Sequence, residues 1–241
     1  ELFMETEIHL PLDSIEKAET FKPLPEKFMS AIKMVRQCAS KDESQFIITC
    51  VNIHPNFVEA LDNYRASRYI IETGFAEPVL IRSKSLAAVL SMQPVEIAET
   101  EKWIHFRNKE GLILSCRRYP AKFPSLEKIL DVQGDKITLP KNLQEAISRA
   151  EVFSSEAAKA DNLVSIELEN DKLTIKAEGL YGRFTEKKKM DTAVEKRLAF
   201  CIAPALLSEL VSRNNECILS ATCLKIQVDE MTFVSVLSEK V

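Results

Sequence analysis

Glycine is scarce in this chain, with 5 residues among 241. That leaves little material for glycine-rich loops that cradle nucleotide phosphates, and neither an HExxH nor a Gly-x-Ser-x-Gly pattern occurs. The six cysteines (Cys38, Cys50, Cys116, Cys201, Cys217, Cys223) form no CxxC pair, and most sit in apolar runs such as Ile47-Ile48-Thr49-Cys50-Val51. They read as reduced core thiols of a cytosolic protein rather than as metal ligands or redox groups. The three histidines, His9, His54 and His105, are scattered over strand-like segments. No catalytic residue, metal ligand or cofactor is therefore expected, and the chain is not read as an enzyme. No apolar run reaches the roughly 18–20 residues of a membrane helix, and nothing in the first residues given resembles a signal peptide. A cytoplasmic protein without a membrane partner is the expectation.

What the chain does have is ordinary globular composition, 46% hydrophobic and 28% charged, with a net charge of −4. The acidic balance by itself argues mildly against a nucleic-acid partner. The arrangement of the sequence says more. Leu24-Pro25-Glu26-Lys27-Phe28, followed by Ala31-Ile32 and Ser40, returns 115 residues later as Leu139-Pro140-Lys141-Asn142-Leu143, then Ala146-Ile147 and Ser155. Val79-Leu80-Ile81 with Leu86, Val89 and Leu90 returns at an offset of 121 as Phe200-Cys201-Ile202 with Leu207, Leu210 and Val211. Two halves, 1–132 and 133–241, thus each hold two similar units, joined near Asp131-Val132-Gln133-Gly134-Asp135.

Each unit reads as a strand, a helix and several more strands. Phe28, Ile32, Val35 and Cys38 recur at helical spacing, as do Leu143, Ile147 and Ala150. Pro25, Pro140 and Pro204 stand near helix starts, where the missing N–H costs least. Leu163-Val164-Ser165-Ile166-Glu167-Leu168 and Lys172-Leu173-Thr174-Ile175-Lys176-Ala177 alternate about an Asn170-Asp171 turn. The fold class is α+β, with two similar domains of two β-α-β-β-β units each and the helices on one face of the sheets.

Charge is segregated. The four helical segments 24–39, 82–92, 139–152 and 203–213 carry eight basic residues against four acidic ones, whereas the whole chain has 32 against 36. A protein that surrounds DNA without adhering to it elsewhere would divide charge this way. The competing reading is that these cations decorate solvated helix faces. Glu186-Lys187-Lys188-Lys189 reads as an extension of a strand, its lysines protecting a sheet edge.

The repeat order and several local motifs resemble the beta subunit of bacterial DNA polymerase III, the sliding clamp. Ala60-Leu61-Asp62-Asn63-Tyr64-Arg65-Ala66 is similar to that family's Ala-Thr-Asp-Gly-His/Tyr-Arg-Leu stretch, with Leu61, Asn63 and Ala66 as departures. Arg117-Arg118-Tyr119-Pro120-Ala121-Lys122-Phe123-Pro124 resembles its arginine-rich strand and following turn, and Thr232-Phe233-Val234-Ser235-Val236-Leu237 its last strand. The departures suggest a divergent member, of phage or mobile-element origin. The resemblance covers the chain but only the last two of three domains, and so implies a further N-terminal domain of roughly 120 residues in a longer protein.

Several functional expectations follow from the resemblance. A ring, closed as a dimer of three-domain chains or a trimer of two-domain chains, would encircle duplex DNA, with Lys27, Lys33, Arg82, Lys84, Lys141 and Arg149 touching phosphates without reading sequence. A pocket for polymerase and clamp-loader peptides would be formed by Leu61, Asn63, Arg65, Ala66, Pro124, Lys128, Ile129, Val234, Ser235 and Val236. For Ile129, Val234 and Val236 plain core packing competes with that role. The alternative at the level of the whole protein is a clamp-fold interaction protein that does not encircle DNA.

Overall fold

The computed structural model describes residues 14–140, 142–154, 163–180 and 182–237. His9, Lys141 and Ser155 lie outside the described residues. The first unit comprises β1 (Lys22–Pro23), α1 (Phe28–Val35), β2 (Cys50–His54), β3 (Phe57–Leu61) and β4 (Arg65–Ile70). The second comprises β5 (Val79–Arg82), α2 (Ser83–Met92), β6 (Glu96–Glu99), β7 (Trp103–Arg107) and β8 (Ile113–Arg117). A one-turn helix, α3 (Glu127–Leu130), precedes β9 (Asp135–Thr138), α4 (Leu143–Ser154), β10 (Val164–Gly179) and β11 (Gly182–Ile202). The end of β11 leads into α5 (Pro204–Arg213), β12 (Glu216–Leu219), β13 (Cys223–Val228) and β14 (Met231–Val236).

The helical stripes become the core. Phe28, Ile32, Val35 and Cys38 are fully buried, as are Leu86 and Val89 of α2, Ile147 of α4, and Leu207 and Leu210 of α5. They pack against alternate strand residues, among them Val51, Ile53, Val58, Ile81, Ile226 and Phe233. Each such side chain contributes roughly 1.5–3 kcal/mol by leaving water, so this layer supplies most of the driving force. Pro204 sits in the first turn of α5. Pro25 and Pro140 stand one turn further out, their carbonyls accepting from Phe28 N at 2.9 Å and Leu143 N at 3.1 Å. The four long helices share one face of the sheets; α3 does not. Leu126 and Leu130 lie on the opposite face with Cys50, Ala66, Leu80 and Val234. Four residues are too short for a periodic signal, which is why the sequence reading passes over this helix.

Strand order in the largest sheet is β5-β2-β3-β4-β14-β13-β12-β9. Its middle is the antiparallel joint of β4 and β14, with Ala66 opposite Val234 and Ser67 opposite Phe233. Strands from the two halves of the chain therefore form one continuous sheet. A second sheet runs β1-β6-β7-β8. The third is the long pair β10–β11, in which register breaks between Leu168 and Lys172. This ribbon is not straight. The side chains of Glu167 and Lys176 form an ion pair, yet nine extended residues would separate them by about 30 Å. The chain folds back at Asn170, whose φ is +52°, where the sequence places its turn.

Gly134 joins the two halves, and a Cβ there would lie 2.1 Å from the carbonyl oxygen of Leu219. That oxygen belongs to β12, paired with β9, so the clash is with backbone and cannot be relieved by a rotamer change. Gly134→Ala is expected to cost about 2–3 kcal/mol, lowering the melting temperature by about 5–10 °C. An unchanged thermal midpoint would show that this approach tolerates a methyl group.

Candidate functional site

The site is built around one tight turn. Asp62 Oδ1 accepts from Tyr64 N at 2.8 Å and from Arg65 N at 2.7 Å, while Oδ2 accepts from Arg65 Nε at 2.9 Å. One carboxylate thereby fixes both backbone and guanidinium, the local economy that Asp offers in turns. Val236 N then donates to Tyr64 O at 2.8 Å, pinning the turn to the last strand. Arg68 secures the opposing wall. Its Nε donates to the buried carboxylate of Glu59 at 2.9 Å and its Nη1 to Glu127 of α3 at 2.6 Å, while its guanidinium stacks over Phe57 at 4.3 Å. Asn52 Nδ2 completes the network, donating to Glu59 Oε1 at 2.8 Å.

Between these walls lies a cleft of about 390 Å³ lined by Leu61, Asn63, Arg65, Ala66, Lys128, Ile129, Val234 and Val236. These are eight of the ten residues nominated for the peptide pocket. The other two differ. Pro124 is exposed in the loop before α3 and does not line the cleft. Ser235 is buried and points the other way, as alternation along β14 requires, into a second cleft. The lining also includes Asp131, Val132 and Gln133 of the link and Ser220, Thr222 and Cys223 of the β12–β13 turn. Sequence reasoning missed these. Only the acidic-polar link stood out beforehand, and as a boundary rather than a wall. Chemically, the cleft offers apolar contacts from Leu61, Ala66, Ile129, Val132, Val234 and Val236 with a polar rim. Such a surface suits one or two apolar side chains of a short segment.

The second cleft, of about 990 Å³, lies on the other side of the Asp62–Arg65 turn, which lines both. Arg82 and Lys84 of the nominated DNA-contacting set meet there with Arg36. The remaining members do not gather with them. Lys27 pairs with Glu230 at 2.9 Å, and Arg149 reaches both oxygens of Glu186 at 2.9 and 2.7 Å. Arg82 pairs with Glu43. Lys33 and Lys84 are exposed and in no ion pair among the described residues. Arg149 first, then Lys188, holds the Glu186 carboxyl down to about 2, so this pair is charged at neutral pH. Burial pushes the thiols of Cys38, Cys116 and Cys217 up to about 12. These three are protonated core groups, whereas Cys201 is exposed. Among the described residues, no three His, Cys, Asp or Glu side chains gather to hold a metal, and no helix is long and apolar enough to cross a membrane.

No protein-family model matches the chain, and no curated protein matches it. The solved structures do. The fold is that of a sliding clamp, α+β with its long helices on one face of the sheets. More particularly, it is the fold of the DNA polymerase III beta subunit. The beta chain from Streptococcus pneumoniae superposes with a TM-score of 0.65 at 18% identity, over 97% of this chain and 68% of that one. The Bacillus subtilis sliding clamp gives 0.64 at 17%, over 97% and 67%. The Pseudomonas aeruginosa clamp bound to griselimycin gives 0.62 at 16%, over 93% and 66%. The chain thus spans about two thirds of the length of these proteins.

Proposed function

We propose that this chain is the working part of a DNA polymerase processivity factor, not an enzyme. In this reading its halves, 1–132 and 133–241, are two clamp domains of a ring around duplex DNA. The 390 Å³ cleft at their joint tethers polymerase and clamp-loader peptides. The observation that carries the proposal is the coincidence of a clamp fold with an apolar cleft at the β4–β14 joint. Lys33, Arg82, Lys84 and Arg149 would supply weak, exchangeable phosphate contacts, and processivity would come from topology rather than affinity.

The runner-up is a clamp-fold interaction protein that does not encircle DNA. The ion pairs of Lys27, Arg82 and Arg149 with acidic partners favour it, because they offset part of the positive charge. One experiment separates the two. The protein is assembled on circular duplex DNA with a bacterial clamp loader and washed at about 1 M salt, where phosphate contacts alone fail. A clamp stays on the circle and is lost when the DNA is linearised. Release from circular and linear DNA alike would leave only the interaction protein.

A further inference from the structure

Three of the basic residues nominated for DNA contact are already paired, and their partners come from elsewhere in the chain. Lys27, just before α1, meets Glu230 of the β13–β14 turn at 2.9 Å. Arg82, just before α2, meets Glu43 of the segment leading into β2. Arg149 of α4 presents its guanidinium to both oxygens of Glu186 on β11, at 2.9 and 2.7 Å. Separations of 203, 39 and 37 residues give these contacts no local origin. In each pair the cation lies in a helix or at its entrance, and the acid does not. Arg213 at the end of α5 adds a fourth instance, 3.4 Å from Asp229. One two-residue turn, Asp229-Glu230, thus takes a cation from each half of the chain.

The backbone sets the acids in place, independently of their partners. Glu230 O accepts from Ile70 N at 2.8 Å, and Glu186 stands in register opposite Ile175. Asp42 caps the segment that carries Glu43, its Oδ1 accepting from Ser44 N at 3.0 Å. Nor do the pairs hold the fold together. The side chains of Lys27, Glu43 and Arg149 are 61%, 63% and 48% exposed, and ion pairs so open to water add little to stability. What each pair does is put a carboxylate where an incoming phosphate would bind. The two-oxygen contact on Arg149 is the geometry that a phosphate adopts on a guanidinium.

We propose that Glu43, Glu186 and Glu230 are built-in competitors of DNA phosphate, holding the affinity of the helix layer for a duplex low. A phosphate must displace a carboxylate that then stays close by, so the exchange gains little free energy. Lys33 and Lys84, exposed and in no ion pair among the described residues, supply the remaining attraction. This rests on the DNA reading and gives its weak, exchangeable contacts a cause in named residues.

The test removes the competitors. Glu43→Gln, Glu186→Gln and Glu230→Gln are combined in the 241-residue chain, which keeps side-chain shape and deletes charge. Binding to a short linear duplex is followed by fluorescence anisotropy at several salt concentrations. Each freed cation should gain a phosphate contact, and each contact steepens the fall of log affinity with log salt by about 0.9. The triple variant should therefore bind at least about tenfold more tightly than the parent at low salt, with a slope steeper by about 2–3. The control combines Glu72→Gln, Glu77→Gln and Glu101→Gln, three exposed acids whose loss changes net charge equally. Its slope should stay at that of the parent. Should the triple variant fail to fold, Glu230→Gln alone is expected to steepen the slope by about 1. A triple variant with the parent's slope would overturn the proposal, and so would a control that steepens it as much. A triple variant that ignores the duplex altogether would overturn it too. The circular-DNA assay reports on the clamp reading independently. Retention of the parent on circles without any change of slope in the variant keeps the clamp and removes the competition. Tighter, steeper binding without retention does the reverse.

Discussion

On the proposed reading, an Ile129→Asp variant is expected to bind a polymerase-derived peptide at least about tenfold more weakly than the parent chain, with its melting temperature nearly unchanged. The peptide serves as a probe of the 390 Å³ cleft. Ile129 projects from α3 into that cleft and is 41% exposed, whereas its neighbours Leu126 and Leu130 are buried under the helix. Substitution at 129 therefore removes apolar contact at the site without opening the core. The new carboxylate must also shed water beside Asp62 and Asp131, which already line the cleft. Loss of one apolar anchor costs roughly 1.4–2 kcal/mol, and tenfold corresponds to about 1.4. Calorimetric titration reads the affinity directly. Equal affinity for the variant and the parent would mean that the peptide binds elsewhere, or that α3 is no wall of the site. Loss of affinity accompanied by a lower melting temperature would point to packing instead.

Arg68→Ala should be among the most damaging single changes outside the apolar core. Glu59 is 3% exposed, and Arg68 is its charged partner, at 2.8 Å from Nη2. Removing the guanidinium leaves a buried carboxylate with Asn52 as its one remaining polar partner among the described residues, a loss of about 3–5 kcal/mol. For a chain of this size that corresponds to a fall in melting temperature of about 10 °C or more. The double variant Arg68→Ala with Glu59→Gln should recover much of the loss, because the unpaired charge is then gone. The same change frees Glu127 of α3 from Arg68, and on the proposed reading peptide binding should weaken even where the fold survives. A melting temperature within about 2 °C of the parent would mean that water replaces the guanidinium at Glu59.

Arg68 also shows where sequence reading stops. Its partners Glu59 and Glu127 lie 9 and 59 residues away, and nothing in the spacing of an arginine and two glutamates distinguishes them from surface charge. The basic helix residues make the same point. Counting cations on helices nominates Arg82 and Lys84, which line one cleft, yet Lys27 meets Glu230 from 203 residues away. A helix can carry net positive charge in sequence and much less in space. The nominated cleft residues all come from the family resemblance; Leu61, Asn63, Arg65 and Ala66 meet there because they belong to one turn held by Asp62. Pro124, nominated by the same resemblance, is exposed in its loop and does not line the cleft. Ser235 follows the pleat of its strand, which sends it to the far side of the sheet.

What the sequence determines by itself here is periodic and local. The helical stripes from Phe28 to Cys38 and from Leu143 to Ala150, the two-residue alternation of the strands, the turns at Asp62 and Asn170 and the repeated unit all arise from contacts within a few residues. Each is enforced by burial of one face or by a single side-chain cap. The tertiary structure alone decides which strand edges meet, which charges are neutralised and what covers the outer face of the joint. β4 pairs with β14 across more than 160 residues of chain. α3 closes the cleft because Leu126 and Leu130 find apolar ground on Ala66 and Val234. The physical reason is one of information. Backbone edges and formal charges look alike wherever they occur in a sequence, and only the packing of already formed units brings particular ones together.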